Sequence, residues 1–256
     1  MNRLEKIKSI RHALKADQSS IGSWMQIPHP SVAEIMGQAG YDWVAIDLEH
    51  GSIGAHQLPD LFRALELGGT LPLVRLAHGE PKDCKLALDA GAGGVIVPMV
   101  ESAGQLERVR DACRWPPAGT RGVGFSRANL FGKHFDRYAE EAQAPLLVAM
   151  IEHVRAVANL PEILDVTGLD AILVGPYDLS ASMGKTGQFD EPEFESVMAG
   201  IRELSRAHGI PSGLHVVMPD TALLQQRVAQ GYRFLAYSID AVFLNSSAVS
   251  PGVGSS

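Results

Sequence analysis

Cysteine is scarce in this chain: Cys84 and Cys113 are the only two in 256 residues. They are far apart and form no CxxC pair, so neither a disulfide framework nor a thiolate metal site is indicated. No histidine stands beside either one, which argues against a thiol nucleophile. Reduced thiols in a cytoplasmic protein are the expectation. No apolar run approaches the ~20 residues that span a bilayer, and the charged opening Met1-Asn2-Arg3-Leu4-Glu5-Lys6 does not read as a secretory signal. An excess of positive charge is missing as well. The 22 basic and 29 acidic side chains leave a formal charge of −7, which argues against a nucleic-acid partner. A glycine-rich dinucleotide turn is absent, since the first strand-like run leads into Ile27-Pro28-His29-Pro30. Finally, Lys6, Lys8, Lys15, Lys82, Lys85, Lys133 and Lys185 all fall outside the predicted strands. A Schiff-base mechanism wants a desolvated lysine inside the fold, so carbonyl activation is expected from a metal instead.

What is present is alternation. Apolar strand-like runs are predicted at 21–26, 43–49, 71–76, 93–99, 146–152, 171–176, 211–216 and 234–240. Helical patterns lie between them at 31–39, 56–68, 81–90, 102–114, 192–208 and 219–230. Ser31 with Glu34 reads as a capping box, Pro81 and Pro219 as helix starts, and Gly40, Gly91, Gly209 and Gly231 as helix ends. Eight strands alternating with helices over ~250 residues is the count of a single-domain (β/α)8 barrel. The domain is expected over 1–245, with a disordered tail at 246–256. The stretch 115–134 is long and irregular, and is expected to be a functional loop or lid.

In such a barrel the chemistry sits at the C-terminal strand ends. Those ends carry Asp47, Glu49 and His50 after Trp43-Val44-Ala45-Ile46, Arg75 in Pro72-Leu73-Val74-Arg75-Leu76, then Glu152, Asp178 and His215. Glu152 and Asp178 each follow an apolar strand and are the candidate ligands of a divalent cation, Mg²⁺, Mn²⁺ or Co²⁺. Either one alone is as easily explained as a helix N-cap. His50 is the candidate base, with Asp47 or another carboxylate to orient it. Arg75 needs an anion, either an internal carboxylate or a substrate carboxylate or enolate, and the strand end favours the substrate.

Taken in order, AGYDWVAIDLEHG, PLVRL, LDAGAGGVIVPMVESA, PPAGTRGVG, MIEHVRAVANLPEILDV and GPYDLSASMG resemble the HpcH/HpaI family of metal-dependent (class II) pyruvate aldolases over roughly residues 20–240. The resemblance implies a barrel that interconverts 4-hydroxy-2-oxo acids with pyruvate and an aldehyde. It implies His50 as base, Arg75 as the enolate-stabilising group, and Asp89 as a carboxylate that raises the basicity of the base from a neighbouring subunit. Glu152 and Asp178 match the metal ligands. The segment Gly175, Pro176, Tyr177 and Asp178 matches the backbone that receives the substrate carboxylate. Met150 stands where many members carry a substrate-contacting Gln, and Leu214 and His215 stand at a strand end that faces substrate. A homo-oligomer, a hexamer among the expected forms, is implied too. The family's long closing helix is cut short here by the Ser, Pro and Gly residues after Asn245. Two other readings stay open: a citrate-synthase-like or other carbon–carbon condensing enzyme on the same barrel, and a non-catalytic barrel that binds an oxo acid.

Overall fold

The computed structural model describes residues 1–250. Eight parallel strands close into a barrel in sequence order, β1 pairing with β8. The strands are β1 (Ser20–Met25), β2 (Trp43–Asp47), β3 (Leu71–Arg75), β4 (Gly94–Val97), β5 (Leu146–Ile151), β6 (Ala171–Val174), β7 (Ser212–Val216) and β8 (Phe234–Ile239). The helices are α1 (Arg3–Lys15), α2 (Pro30–Gln38), α3 (Leu58–Leu67), α4 (Pro81–Ala90), α5 (Ala103–Cys113) and α6 (Phe135–Glu141). They continue with α7 (Val154–Ala158), α8 (Leu160–Leu164), α9 (Pro176–Ser182), α10 (Pro192–Ala207), α11 (Thr221–Ala229) and α12 (Asp240–Ser247).

The strand alternation sorts side chains into two cores. Trp43, Ala45, Leu71, Leu73, Ile96, Val148, Met150, Leu173, Phe234 and Ala236 fill the barrel interior. Val44, Ile46, Val74, Leu147, Ala149, Ile172 and Leu235 face outward onto the helices. Ile7, Ile10 and Leu14 of α1 join the interior cluster and so close the end of the barrel where the strands begin. There the rings of Trp43 and Phe234 stack 4.4 Å apart. The neighbouring Gly22 is fixed by packing, because a Cβ would enter the Trp43 ring. Cys84 and Cys113 are both free and buried.

Several local expectations change. The strands at 43–49, 93–99, 146–152 and 171–176 each stop early, at Asp47, Val97, Ile151 and Val174. Their polar ends therefore lie in loops at the mouth. Ser31 does not cap α2; Pro30 opens the helix and the His29 ring accepts the Ser31 N–H at 3.1 Å. Asp220, not Pro219, begins α11, accepting the Leu223 N–H at 2.9 Å. The last helix runs to Ser247, and residues 251–256 of the expected tail lie outside the described residues.

The larger correction concerns 115–134. This stretch follows α5 and leads through α6 into β5, so it lies where strands begin, at the face opposite the mouth. Its contacts agree. Arg127 donates to the Ala90 carbonyl at the end of α4 (2.8 Å) and to Glu66 of α3 (2.7 Å), and Arg3 of α1 donates to the Ala128 carbonyl. It cannot be a lid over its own barrel.

Candidate active site

Register builds the site first. β2 and β3 pair with Asp47 opposite Arg75, so both side chains leave the same face of the sheet. Arg75 donates from Nε to Asp47 Oδ1 at 2.8 Å and from Nη2 to Oδ2 at 2.6 Å, a bidentate fork. Its third nitrogen, Nη1, lies 3.2 Å from Glu49 Oε2. Its face lies 4.6 Å from the Trp24 ring. Of the two anions open to Arg75, the internal carboxylate is present, although the strand end favoured the substrate. Asp47 is fully buried and also accepts from Gln26 Nε2 (2.8 Å) and from the backbone N–H groups of Glu49 (3.1 Å) and His50 (3.2 Å). Burial alone would raise its carboxyl. The Arg75 hydrogen bonds and charge outweigh that and hold it below the usual range.

Asp47 thus shapes the turn that carries His50 without touching the imidazole. The expectation that it orients the ring is corrected, because both of its oxygens are committed elsewhere. His50 itself is exposed at the mouth. The carboxylate that senses it is Glu49, which burial pushes up and which Arg75 and His50 pull back down. Glu49 Oε2 is buried and makes no hydrogen bond, since its approach to Arg75 lacks hydrogen-bond geometry.

Glu152, just past β5, is 3% exposed. Its Oε2 accepts the Met99 N–H at 2.9 Å. Met99 holds that position with a left-handed backbone, φ +48°, unusual for a non-glycine residue and a mark of local strain. On its other side Gly175 leaves room, for a Cβ there would come 2.5 Å from Glu152 Oε1. Burial drives the Glu152 carboxyl up to about 7; the Met99 amide opposes this, and the nearby Glu49 and Asp178 add to it. Asp178 lies exposed in the first turn of α9, with Tyr177 packed edge-on against Phe189 at 4.9 Å.

Asp47 and Glu49 therefore pair with the Arg75 guanidinium, and Glu152 lies beside Glu49 and Asp178. A buried Glu152 carboxyl lifted to about 7, with Asp178 nearby and the space beside it kept clear by Gly175, is what a divalent cation would relieve. The donor set fits a hard ion. Among the described residues no group of three or more His, Cys, Asp or Glu side chains could hold a metal alone. Such an ion would take two carboxylates here and leave its other positions to water and substrate.

The remaining candidates separate. Met150 is buried in the barrel interior beneath the mouth. His215 points inward, its Nε2 3.1 Å from the Ser238 carbonyl and its ring 5.8 Å from Trp24. Leu214 points the other way, into the outer core, so its side chain does not face the mouth. Asp89 sits in the last turn of α4, at the far end of the barrel, where it pairs with Arg121 at 2.9 Å. Within one chain it does not reach His50. Sequence reasoning gave no role to Gln26, Trp24 or Met99. Gln26 and Trp24 were legible as residues at the end of the first strand, whereas the Met99 contact depends on a backbone angle that no composition rule shows.

His215 supplies a pH prediction. Burial lowers its imidazole to about 4, with the charge of Arg75 adding and the Ser238 carbonyl and Asp47 opposing. A histidine buried neutral costs stability as pH falls from its unfolded value near 6.5 toward its folded value. Between pH 7 and pH 4.5 this group should remove roughly 2–3 kcal/mol. Urea unfolding of wild type and His215→Gln at both pH values isolates the difference. Equal pH dependence in the two proteins would mean that the ring is not held neutral.

Comparison with known proteins comes out consistently. The hydroxypyruvate/pyruvate aldolase of Roseobacter denitrificans (strain ATCC 33942 / OCh 114) is 35% identical over 244 residues, covering 94% of each chain. A solved structure of an HpcH/HpaI aldolase/citrate lyase family protein from Burkholderia cenocepacia J2315 superposes with a TM-score of 0.87 at 32% identity. It covers 93% of this chain and 95% of the other. A solved citrate synthase, SbnG, superposes at 0.78 with 30% identity and 92% of both chains covered. The family model for HpcH/HpaI aldolase/citrate lyase matches residues 20–246, and with the barrel and its strand-end carboxylates in place this chain belongs to that family.

Proposed function

We propose that this protein catalyses the reversible aldol cleavage of 4-hydroxy-2-oxo acids to pyruvate and an aldehyde, with a divalent cation as cofactor. The observation that carries the reading is the cluster at the barrel mouth in which Arg75 pairs with Asp47 and Glu49 while Glu152 lies close to Glu49 and Asp178. Asp47 and Glu49 are engaged by Arg75, which leaves Glu152 and Asp178 to hold the cation. Oxygen donors without thiolate suit Mg²⁺, Mn²⁺ or Co²⁺. A cation bound there supplies Lewis acidity toward the oxygen atoms of a 2-oxo acid.

The chain's own groups do the rest. The N–H groups at Tyr177 and Asp178 meet the substrate carboxylate. Gly175 and Pro176 keep that backbone close to Glu152, and Met150 and His215 form the floor. His50, exposed at the end of its turn, takes the proton of the 4-hydroxyl. The C3–C4 bond then breaks, its electron pair passes into the pyruvate enolate, and the aldehyde departs. Arg75, fixed by the Asp47 fork, faces the negative charge that develops on the enolate oxygen. Protonation at C3 gives pyruvate. Asp89 lies at the opposite end of its own barrel, so its service to a histidine requires a neighbouring subunit in a homo-oligomer. Among the described residues no helix is long and apolar enough to cross a membrane, and we place the reaction in the cytoplasm.

Incubating the Mg²⁺-loaded protein with pyruvate and a panel of aldehydes, and weighing the products, tests the reading. Adducts of pyruvate plus aldehyde are expected. The likeness to a citrate synthase favours a second reading, condensation onto oxaloacetate. Absence of every aldehyde adduct would remove the aldolase reading and leave that one.

No covalent imine with pyruvate is expected, because no lysine lies in a strand. Borohydride added to the protein with pyruvate, followed by intact mass measurement, should leave the mass unchanged. A reduced pyruvyl-lysine adduct would overturn the cation-assisted mechanism.

A further inference from the structure

The helix layer does not close between α10 and α11. None of the residues of α11 is buried, whereas α10 buries Phe194, Met198 and Ile201. Between the two helices, over the outer face of β7, lies a cavity of about 590 Å³. That volume is in the range of small-molecule sites. Phe189, Phe194, Met198, Leu223 and Tyr232 give it apolar and aromatic walls.

Two arginines also line it, and neither is neutralised. Arg202 donates from Nη1 to the Tyr232 hydroxyl at 3.1 Å and to the Met198 carbonyl at 3.3 Å, and lies 5.3 Å from the Tyr232 ring. Arg227 donates from Nη1 to Gln230 Oε1 at 2.8 Å, while its Nε is buried with no partner. Neither forms an ion pair with a carboxylate of the described residues. Asp190 and Glu195 also line the cavity, near the start of α10. Glu195 precedes Arg202 by seven positions, ~10 Å along the helix axis. Two partly buried guanidinium groups beside apolar walls, one with an unused buried donor, call for an anion.

We propose that the cavity between α10 and α11 is a second ligand site, for a small organic carboxylate with an apolar or aromatic body. Arg202 and Arg227 hold the carboxylate, and Phe189, Phe194, Met198 and Leu223 cover the body. The cavity reaches the rim of the mouth, where Pro176, Tyr177 and His215 also line it, but its two guanidinium groups stand on α10 and α11, outside the strands, so the carboxylate is held away from Glu152.

The test uses the full chain, with 3-phenylpropionate as probe and 3-phenylpropan-1-ol as its uncharged counterpart, by titration calorimetry. The carboxylate should bind one to one, roughly tenfold more tightly than the alcohol, and Arg227→Met should weaken it by a similar factor. Saturating Mg²⁺ and pyruvate should leave that affinity unchanged. Arg202→Met is the companion variant. Because Arg202 also braces Tyr232, it is compared only after its melting curve matches wild type. Arg227 has Gln230 as its side-chain partner, on an exposed turn, so its variant decides the matter even if Arg202→Met fails to fold. Equal affinity in Arg227→Met, no binding at millimolar probe, or displacement by pyruvate would each overturn the proposal. Displacement by pyruvate would mean that the probe sits in the substrate site, whose rim the cavity shares; the other two outcomes leave the aldol reading untouched.

Discussion

Replacing Glu152 or Asp178 by Ala is expected to abolish divalent-cation binding and aldol cleavage together, with activity down by at least about 10³-fold. The two carboxylates come from different strand ends, and neither is neutralised by Arg75, which is taken up by Asp47 and Glu49. Removing Glu152 also strands the Met99 N–H and empties the space beside Gly175, so a second variant is needed to separate binding from folding. Glu152→Gln keeps the shape and an acceptor for Met99 while removing the charge. It should fold and melt as wild type does, yet lose Mn²⁺ binding in a calorimetric titration. The two readouts must fall in step. Full activity in chelator, or in both Ala variants, would end the cation-dependent reading.

His50→Ala and Arg75→Ala should fail in different ways. If His50 handles only the 4-hydroxyl proton, its variant loses aldol cleavage but keeps some decarboxylation of oxaloacetate, which reaches the same enolate without that proton transfer. Arg75 faces the enolate in both reactions, so its variant should lose both by about 10²–10³-fold. Arg75→Ala also leaves Asp47 buried without a cation, a change that costs on the order of 3–5 kcal/mol in comparable sites. Arg75→Lys, which restores charge but not the fork, is therefore measured beside it. Position motivates the contrast. His50 is exposed in a turn, whereas Arg75 is 9% exposed and held on three sides by Asp47, Glu49 and Trp24. Equal losses of the two activities in His50→Ala would mean that the histidine supports the site and does not move the proton.

The strand-end reading was legible because a parallel barrel imposes a simple pattern. A strand buried on both faces reads as a continuous apolar run, and the point where polarity returns marks the mouth. Asp47, Arg75, Glu152 and Asp178 announce themselves in that way. Gln26 carries the same signal at the end of the first strand and was passed over, because a neutral amide there looks like ordinary loop. Ser31 and Pro219 misled for a related reason. Capping preferences tell which residues suit a helix start, but His29 and Asp220 were equally able, and only the chain's path decided between them.

By itself the sequence determined the eight strands, six of the helices between them and the set of charged groups at the mouth, since period and polarity along one dimension are enough for that; the short helices α6 to α9 span too few turns to show a period. Tertiary structure decided how those groups pair. The register of β2 against β3 sets Asp47 on Arg75 and so withdraws Asp47 from the His50 ring. The closed topology sends 115–134 and Asp89 to the far end of the barrel, and the loose seating of α11 opens the cavity beside Arg202 and Arg227. Distances between elements depend on register, closure and helix seating, and none of these is written in the order of residues along a single strand.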